Sequence, residues 1–223
     1  MSDNRASLEK SIRLYLAPHL REDGFRGSGT TYCRITDKFL FVYNVQGSMG
    51  GGRFYVNLGV HPRGMPTAIG RDPDPKTMKE HFCDLRCRMT EFNTEDQWWS
   101  HDGTQDSIDN AVRQSAAVYL AIARPLFAEV ASPESPLLTA TLEQIDAGQI
   151  LLLGKSCNKQ YTALKLARIR YSIGDREMAR IFANYGLTQY LDDNRQPFRR
   201  DLEALLTMLD TPVSPIQHLE SHQ

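Results

Sequence analysis

The stretch QWWSHDG, residues 97–103, is the most enzyme-like word in the chain. His101 and Asp102 are the types that make a general base and the carboxylate that orients it. Adjacent side chains rarely face each other, however, and no nucleophile is marked nearby, so the mutual geometry of a catalytic site is missing. The competing reading is structural: Trp98 or Trp99 closes the edge of a core, and Asp102 or Thr104 caps the helix that follows. Cys83 and Cys87, with His81 close in sequence and Cys33 upstream, are zinc-ligand types. Their spacing is not the usual Cys-x2-Cys. All three cysteines fall on the apolar parity of strand-like segments, where a free thiol is a small core hydrophobe. Core packing is therefore expected of them, with no metal and no cofactor; Cys157 stands alone and takes no role.

Residues 47–52, GSMGGG, hold four glycines. Gly47 and Gly52 have the spacing of the glycines in a phosphate loop, but such a loop continues with Lys and Ser/Thr into a helix. Here Arg53 and Phe54 follow, and the chain then alternates with period two, which is a strand. The lysine, the hydroxyl and the helix dipole are all missing, so a hairpin loop between two strands is expected.

The elements that must position these residues follow from hydrophobic period. Leu8, Ile12, Leu16 and Leu20 recur every four residues on one helix face, with Pro18 expected to kink or restart the helix and Gly24 to end it. The period then becomes two. Apolar residues occupy Cys33 and Ile35 in 31–35, Phe39, Phe41, Tyr43 and Val45 in 39–46, Phe54, Val56, Leu58 and Val60 in 53–60, and Cys83, Leu85, Cys87 and Met89 in 82–89. Short connections predict an antiparallel meander; the proline-rich link 61–77 predicts a loop. Helical period returns at Thr104 with Ile108, Val112, Ala116, Tyr119 and Leu120, up to Pro125. ASPESP, 131–136, reads as a linker. Helices are expected over roughly 137–147, 158–173, 175–190 and 197–210, with Gly174–Asp175 as the stop and N-cap of a helical hairpin. The fold class is thus α+β: an N-terminal helix on a four-stranded antiparallel sheet in 1–130, a C-terminal helical region in 137–210, and a tail in 211–223.

Parity assigns to the other sheet face Tyr32, Arg34, Asn44, Gln46, Tyr55, Asn57, Asp84, Arg86 and Arg88. That face has no lysine or glutamate, the usual dressing of a merely solvated surface. Its Arg, Tyr, Asn and Gln make directional hydrogen bonds suited to recognition. Two readings stand: a docking surface, or a polar seam buried under the C-terminal helices.

The chain has 223 residues, 41% hydrophobic and 24% charged, with a formal net charge of −1. That balance disfavours a broad basic surface for duplex nucleic acid. No apolar run approaches the ~20 residues that span a bilayer, the N-terminus lacks a signal-peptide pattern, and four cysteines do not make a disulfide scaffold. A cytoplasmic protein with reduced thiols is expected.

An ordered series of words, LAPHLREDGFRGSGTTYCR, FVYNVQGS, RFYVNLGV and CDLRCRMTEF followed by WW, is similar to a bacterial family known only as domain of unknown function 4304. The resemblance covers about residues 8–130. Its words fall on Arg34, Gln46, Asn57, Arg86 and Arg88. It implies the fold and brings no established activity; analogy with small proteins that serve as antidotes of toxins suggests the same for this one. The leading expectation is a non-enzymatic cytosolic binding protein, with an immunity protein neutralising a toxin as its specific form. Arg34, Gln46, Tyr55, Asn57, Arg86 and Arg88 would bind a toxin or another acidic protein surface, with no catalytic residues, no nucleic acid and no membrane. The alternative is an enzyme on an anionic substrate, with Arg34, Arg86 and Arg88 as clamps and His61 or His101 as acid–base. A helical scaffold docking peptides is a third, weaker option.

Overall fold

The structure is a computed structural model that describes residues 2–67, 70–91, 96–189 and 198–211. It divides into two compact units, residues 1–157 and 158–223. The division lies beyond the ASPESP linker, so the helices of 137–147 go with the first unit. The tail from 212 onward lies outside the described residues.

The first unit opens with helix α1 (Ser2–Ser11), a π-helical stretch (Ile12–Leu16) and helix α2 (Ala17–Glu22). The π turn follows from the apolar spacing. On an α-helix each residue turns about 100°, so four-residue steps drift by roughly 40° each. Leu8, Ile12, Leu16 and Leu20 would wander off one face over three steps. One wider turn absorbs a surplus residue and brings them back into line. All four are buried. Pro18 sits in the first turn of α2, where its missing N–H costs little.

The sheet has six strands: β1 (Arg26–Ser28), β2 (Thr31–Ile35), β3 (Phe39–Gly47), β4 (Arg53–Pro62), β5 (Leu85–Arg88) and β6 (Trp99–Ser100). The order is β1-β2-β3-β4-β5, with β6 beside β4 next to β5, all antiparallel. The four expected strands are present; β1 and β6 are short additions at its margins. The segment 82–89 narrows to β5, preceded by a 3-10 turn at Glu80–Phe82.

Helix α3 (Gln105–Val118), a second π-helical stretch (Tyr119–Ala123) and helix α4 (Arg124–Ala131) cover one sheet face. Phe127 meets Phe25 and Phe41 at 5.6 and 5.3 Å, and Tyr119 meets Tyr43 edge-on at 5.3 Å. The helical stretch Gln105–Thr139 is long and apolar enough to cross a membrane by length and composition, although polar residues interrupt its apolar positions. Its Ile108, Val112, Tyr119 and Phe127 are nevertheless buried in this core. Thr104 caps α3, accepting from the Ser107 N–H, and Asp102 in turn accepts from the Thr104 N–H and hydroxyl at 2.9 and 2.7 Å. The structural reading of that word is thereby met.

Part of the second sheet face is covered by the segment that returns from β4 to β5. Leu40, Val42 and Cys33 point to this face and pack with Met78, Cys83 and the partly buried Phe82. Gly59 permits the approach: a Cβ there would lie 2.7 Å from Cys83 Sγ and 3.2 Å from Glu80 Cα. After α4, helices α5 (Pro136–Thr139) and α6 (Leu142–Asp146) and the hairpin β7 (Leu151–Leu152) and β8 (Lys155–Ser156) complete the unit.

The second unit is a helical hairpin, α7 (Lys159–Ser172) and α8 (Arg176–Thr188), joined by α9 (Arg199–Asp210). Gly174 takes φ 84° and Asp175 caps α8, accepting from the Met178 N–H, as the Gly–Asp pair predicts. Arg176 donates to the last carbonyls of α9, Leu209 O at 2.6 Å and Thr211 O at 3.0 Å.

Candidate functional site

Register settles which side chains share a face. Thr31, Asn44, Asn57 and Arg88 stand opposite one another across β2, β3, β4 and β5, and Gln46 stands opposite Tyr55 on the next rung. The Asn57 amide donates to Gln46 Oε1 at 3.0 Å and to Asn44 Oδ1 at 3.3 Å, and Asn44 donates to Thr31 Oγ1 at 2.9 Å. These bonds lock amides that would otherwise swing freely. Gln46, Tyr55, Asn57, Arg86 and Arg88 line one open cleft of about 500 Å³. Five of the six residues expected to bind are thus brought together.

Arg34 is the exception. Its partner across the ladder is Phe41 and that of Tyr32 is Tyr43, so both project into the helix-covered face. The Arg34 guanidinium lies 4.4 Å over the Phe41 ring and 5.3 Å over Phe25, and donates to Phe127 O at 3.3 Å and Asp23 O at 3.4 Å. Burial pushes its pKa down, against the pull of Tyr119 and Asp23. It is a tie between strand β2 and the helices, not a member of the cleft. Parity failed here because β2 has two apolar residues that do not share the main core: Cys33 enters the second core and Ile35 is 51% exposed.

Sequence reasoning named Tyr55 for the site but not the residues packed around it, Trp98 and Arg53. Trp98 meets Tyr55 edge-on at 4.7 Å. Arg88 lies 4.0 Å over Tyr55, and Arg53 lies 4.3 Å over Trp98. Arg88 is also ion-paired with Asp96. Arg53 shares the odd parity of Tyr55 and Asn57, a signal that was present. Trp99, by contrast, is buried and stacks on Phe54 at 5.7 Å. Glu80, His81 and Cys87 complete the cleft lining, with His81 Nδ1 3.5 Å from Glu80 Oε1.

Neither histidine named for acid–base work lies on it. His61 is fully buried with Nε2 2.9 Å from Met65 O. His101 has its pKa lowered by burial, partly countered by Asp102. Burial likewise raises the thiol of Cys33 to about 11 and that of Cys87 to about 11. Among the described residues no group of three metal-ligand types comes together. Residues 48–52 form the hairpin loop between β3, which ends at Gly47, and β4, closed by Ser48 N–H to Arg53 O at 2.9 Å, with Gly51 and Gly52 at φ 75° and 70°.

An antiparallel sheet with helices packed on it is the α+β architecture that the ordered words implied. The family model described as Domain of unknown function (DUF4304) matches residues 16–129, and the chain belongs to that family. The match contains the whole sheet and every arginine of the cleft. No match was found among curated proteins or among solved structures.

Proposed function

We propose that this chain is a non-enzymatic binding protein whose cleft receives an acidic segment of a partner protein. Arg86 carries the reading. It is exposed and makes no hydrogen bond or ion pair among the described residues, while Asn57 and Gln46 beside it are already held by each other. A guanidinium with its fork unengaged, next to preorganised amides, suits a carboxylate accepting two parallel hydrogen bonds. Arg88 differs: Asp96 and the Tyr55 ring occupy it, so it braces the aromatic wall. Neutralising a toxin in the cytoplasm is the narrower form of the proposal; its check is whether co-expression restores growth to cells making the captured partner.

Affinity capture with wild type and with Arg86→Glu, side by side, tests the binding reading. A partner held by the wild type and lost by a variant of unchanged melting supports it, since a reversed charge at an interface repels carboxylates. A partner held equally by both contradicts it. The His81–Glu80 pair favours a second reading, an enzyme on an anionic substrate. In that case His81→Ala abolishes turnover of the substrate while leaving its binding intact.

A further inference from the structure

A second cleft of about 290 Å³ lies in the first unit, away from the arginine cleft, between the N-terminal helix and the β1–β2 turn. Lys10, Arg13 and Arg21 line it, together with Glu9, Gly29 and Tyr32. The three cations are exposed and make no ion pair or hydrogen bond among the described residues. Glu9 is already engaged, its Oε1 2.9 Å from Arg5 Nε. The charged lining therefore sums to +2, on a chain whose formal net charge is −1. Gly29, at φ 62°, lies against the Glu9 carboxylate, which a Cβ there would meet at 3.5 Å. Tyr32 is 1% exposed and still lines the cleft, yet its hydroxyl makes no hydrogen bond among the described residues. A hydroxyl that reaches the cleft without a protein partner is free to donate to a bound acceptor.

The helix geometry explains why these cations converge. Arg13 and Arg21 are eight residues apart, which on a plain α-helix sets them about 80° apart. The π turn at Ile12–Leu16 takes up one residue, leaving an offset of only about 20°. The same turn that keeps the apolar face in register thus stacks the two arginines on one side, with Lys10 a turn before.

We propose that this cleft binds the phosphate group of a phosphorylated small molecule. A phosphate monoester carries about −1.5 to −2 charge at pH 7, matching the lining, and its oxygens accept both from guanidinium forks and from the Tyr32 hydroxyl. The same chemistry is offered by a soluble ester and by a lipid headgroup.

Calorimetric titration of the full chain with glycerol phosphate, and sedimentation with phosphatidylcholine vesicles with and without phosphatidic acid, distinguish these sources. One-to-one binding of glycerol phosphate, weakened about tenfold or more by Arg13→Gln with Arg21→Gln and unchanged by Arg86→Gln, supports the proposal with a soluble ligand. Binding only to vesicles that contain phosphatidic acid, lost in the same double variant, supports it with a lipid source. Absence of binding to both probes overturns it, as does binding that survives the double variant. Both arginines are exposed, so the variant is expected to melt as wild type; should it not fold, Lys10→Gln with Arg13→Gln is read in the same way.

Discussion

Gly59 shows how one residue sets the shape of the cleft. Its missing side chain lets Cys83 and the Glu80 backbone lie against β4, which places Glu80 and His81 at the cleft. In Gly59→Ala the new methyl meets backbone as well as sulfur, so it cannot be relieved by a rotamer change alone. We expect a loss of about 1–3 kcal/mol in denaturant unfolding; an unchanged midpoint would refute the tight approach. The cysteines follow a similar logic. Thiolate is the reactive form, and burial holds the thiols of Cys33 and Cys87 up at about 11. At pH 8 about a thousandth of either is ionised. Burial raises the Cys83 thiol as well, so thiol-reagent kinetics should be slow for Cys33 and Cys83 in the native protein and fast in urea. The same shift carries a sign: protonated thiols favour the fold below pH ~9, and that contribution is lost as pH rises towards 11.

At the scale of elements, the tie between the N-terminal helix and α3 is polar at its centre. Asp109 Oδ1 accepts from Ser11 Oγ at 2.5 Å and Gln105 Nε2 at 2.7 Å, and Oδ2 accepts from Tyr15 at 3.1 Å. The hydrogen bond from buried Ser11 leads in holding the Asp109 pKa below the usual carboxylate value, with burial opposing. A lowered carboxylate stabilises the fold above about pH 4 and loses that contribution as pH falls below it. Asp109→Asn should therefore melt lower than wild type at neutral pH, and the gap should close on acidification; a gap independent of pH would exclude this role. Elements also show what could be read from sequence. The helix face, the strands around the β3–β4 hairpin, the Thr104 cap and the Gly174–Asp175 stop were legible, because each depends on near neighbours in the chain. The four-residue spacing of Leu8, Ile12, Leu16 and Leu20 already encoded the π turn, but only against the drift of an ideal helix. The second core was legible too, in the even positions Leu40 and Val42, which a sheet with one solvated face would not make apolar. The side on which Arg34 falls was not, since it depends on pairing with β3 and on a loop folding over Cys33.

For the whole molecule, the proposed function assigns stability to the helix-covered sheet face and recognition to the cleft on the other face, beside its second core. Arg34, under the helices, belongs to the first task. Arg34→Ala should cost about 2 kcal/mol in unfolding, from lost charged hydrogen bonds and ring contacts, and leave partner binding intact at temperatures where the variant is folded. Arg86 belongs to the second task. The most direct measurement is an NMR titration of the arginine side-chain Nε–H groups and the Trp98 indole with a short polyglutamate peptide. Saturable shifts at Arg86 and Trp98, with the Arg34 signal unmoved and the response abolished in Arg86→Gln, are the predicted result. Shifts that spread over the surface arginines without preference, or that persist in Arg86→Gln, would contradict the assignment of the cleft as the binding site.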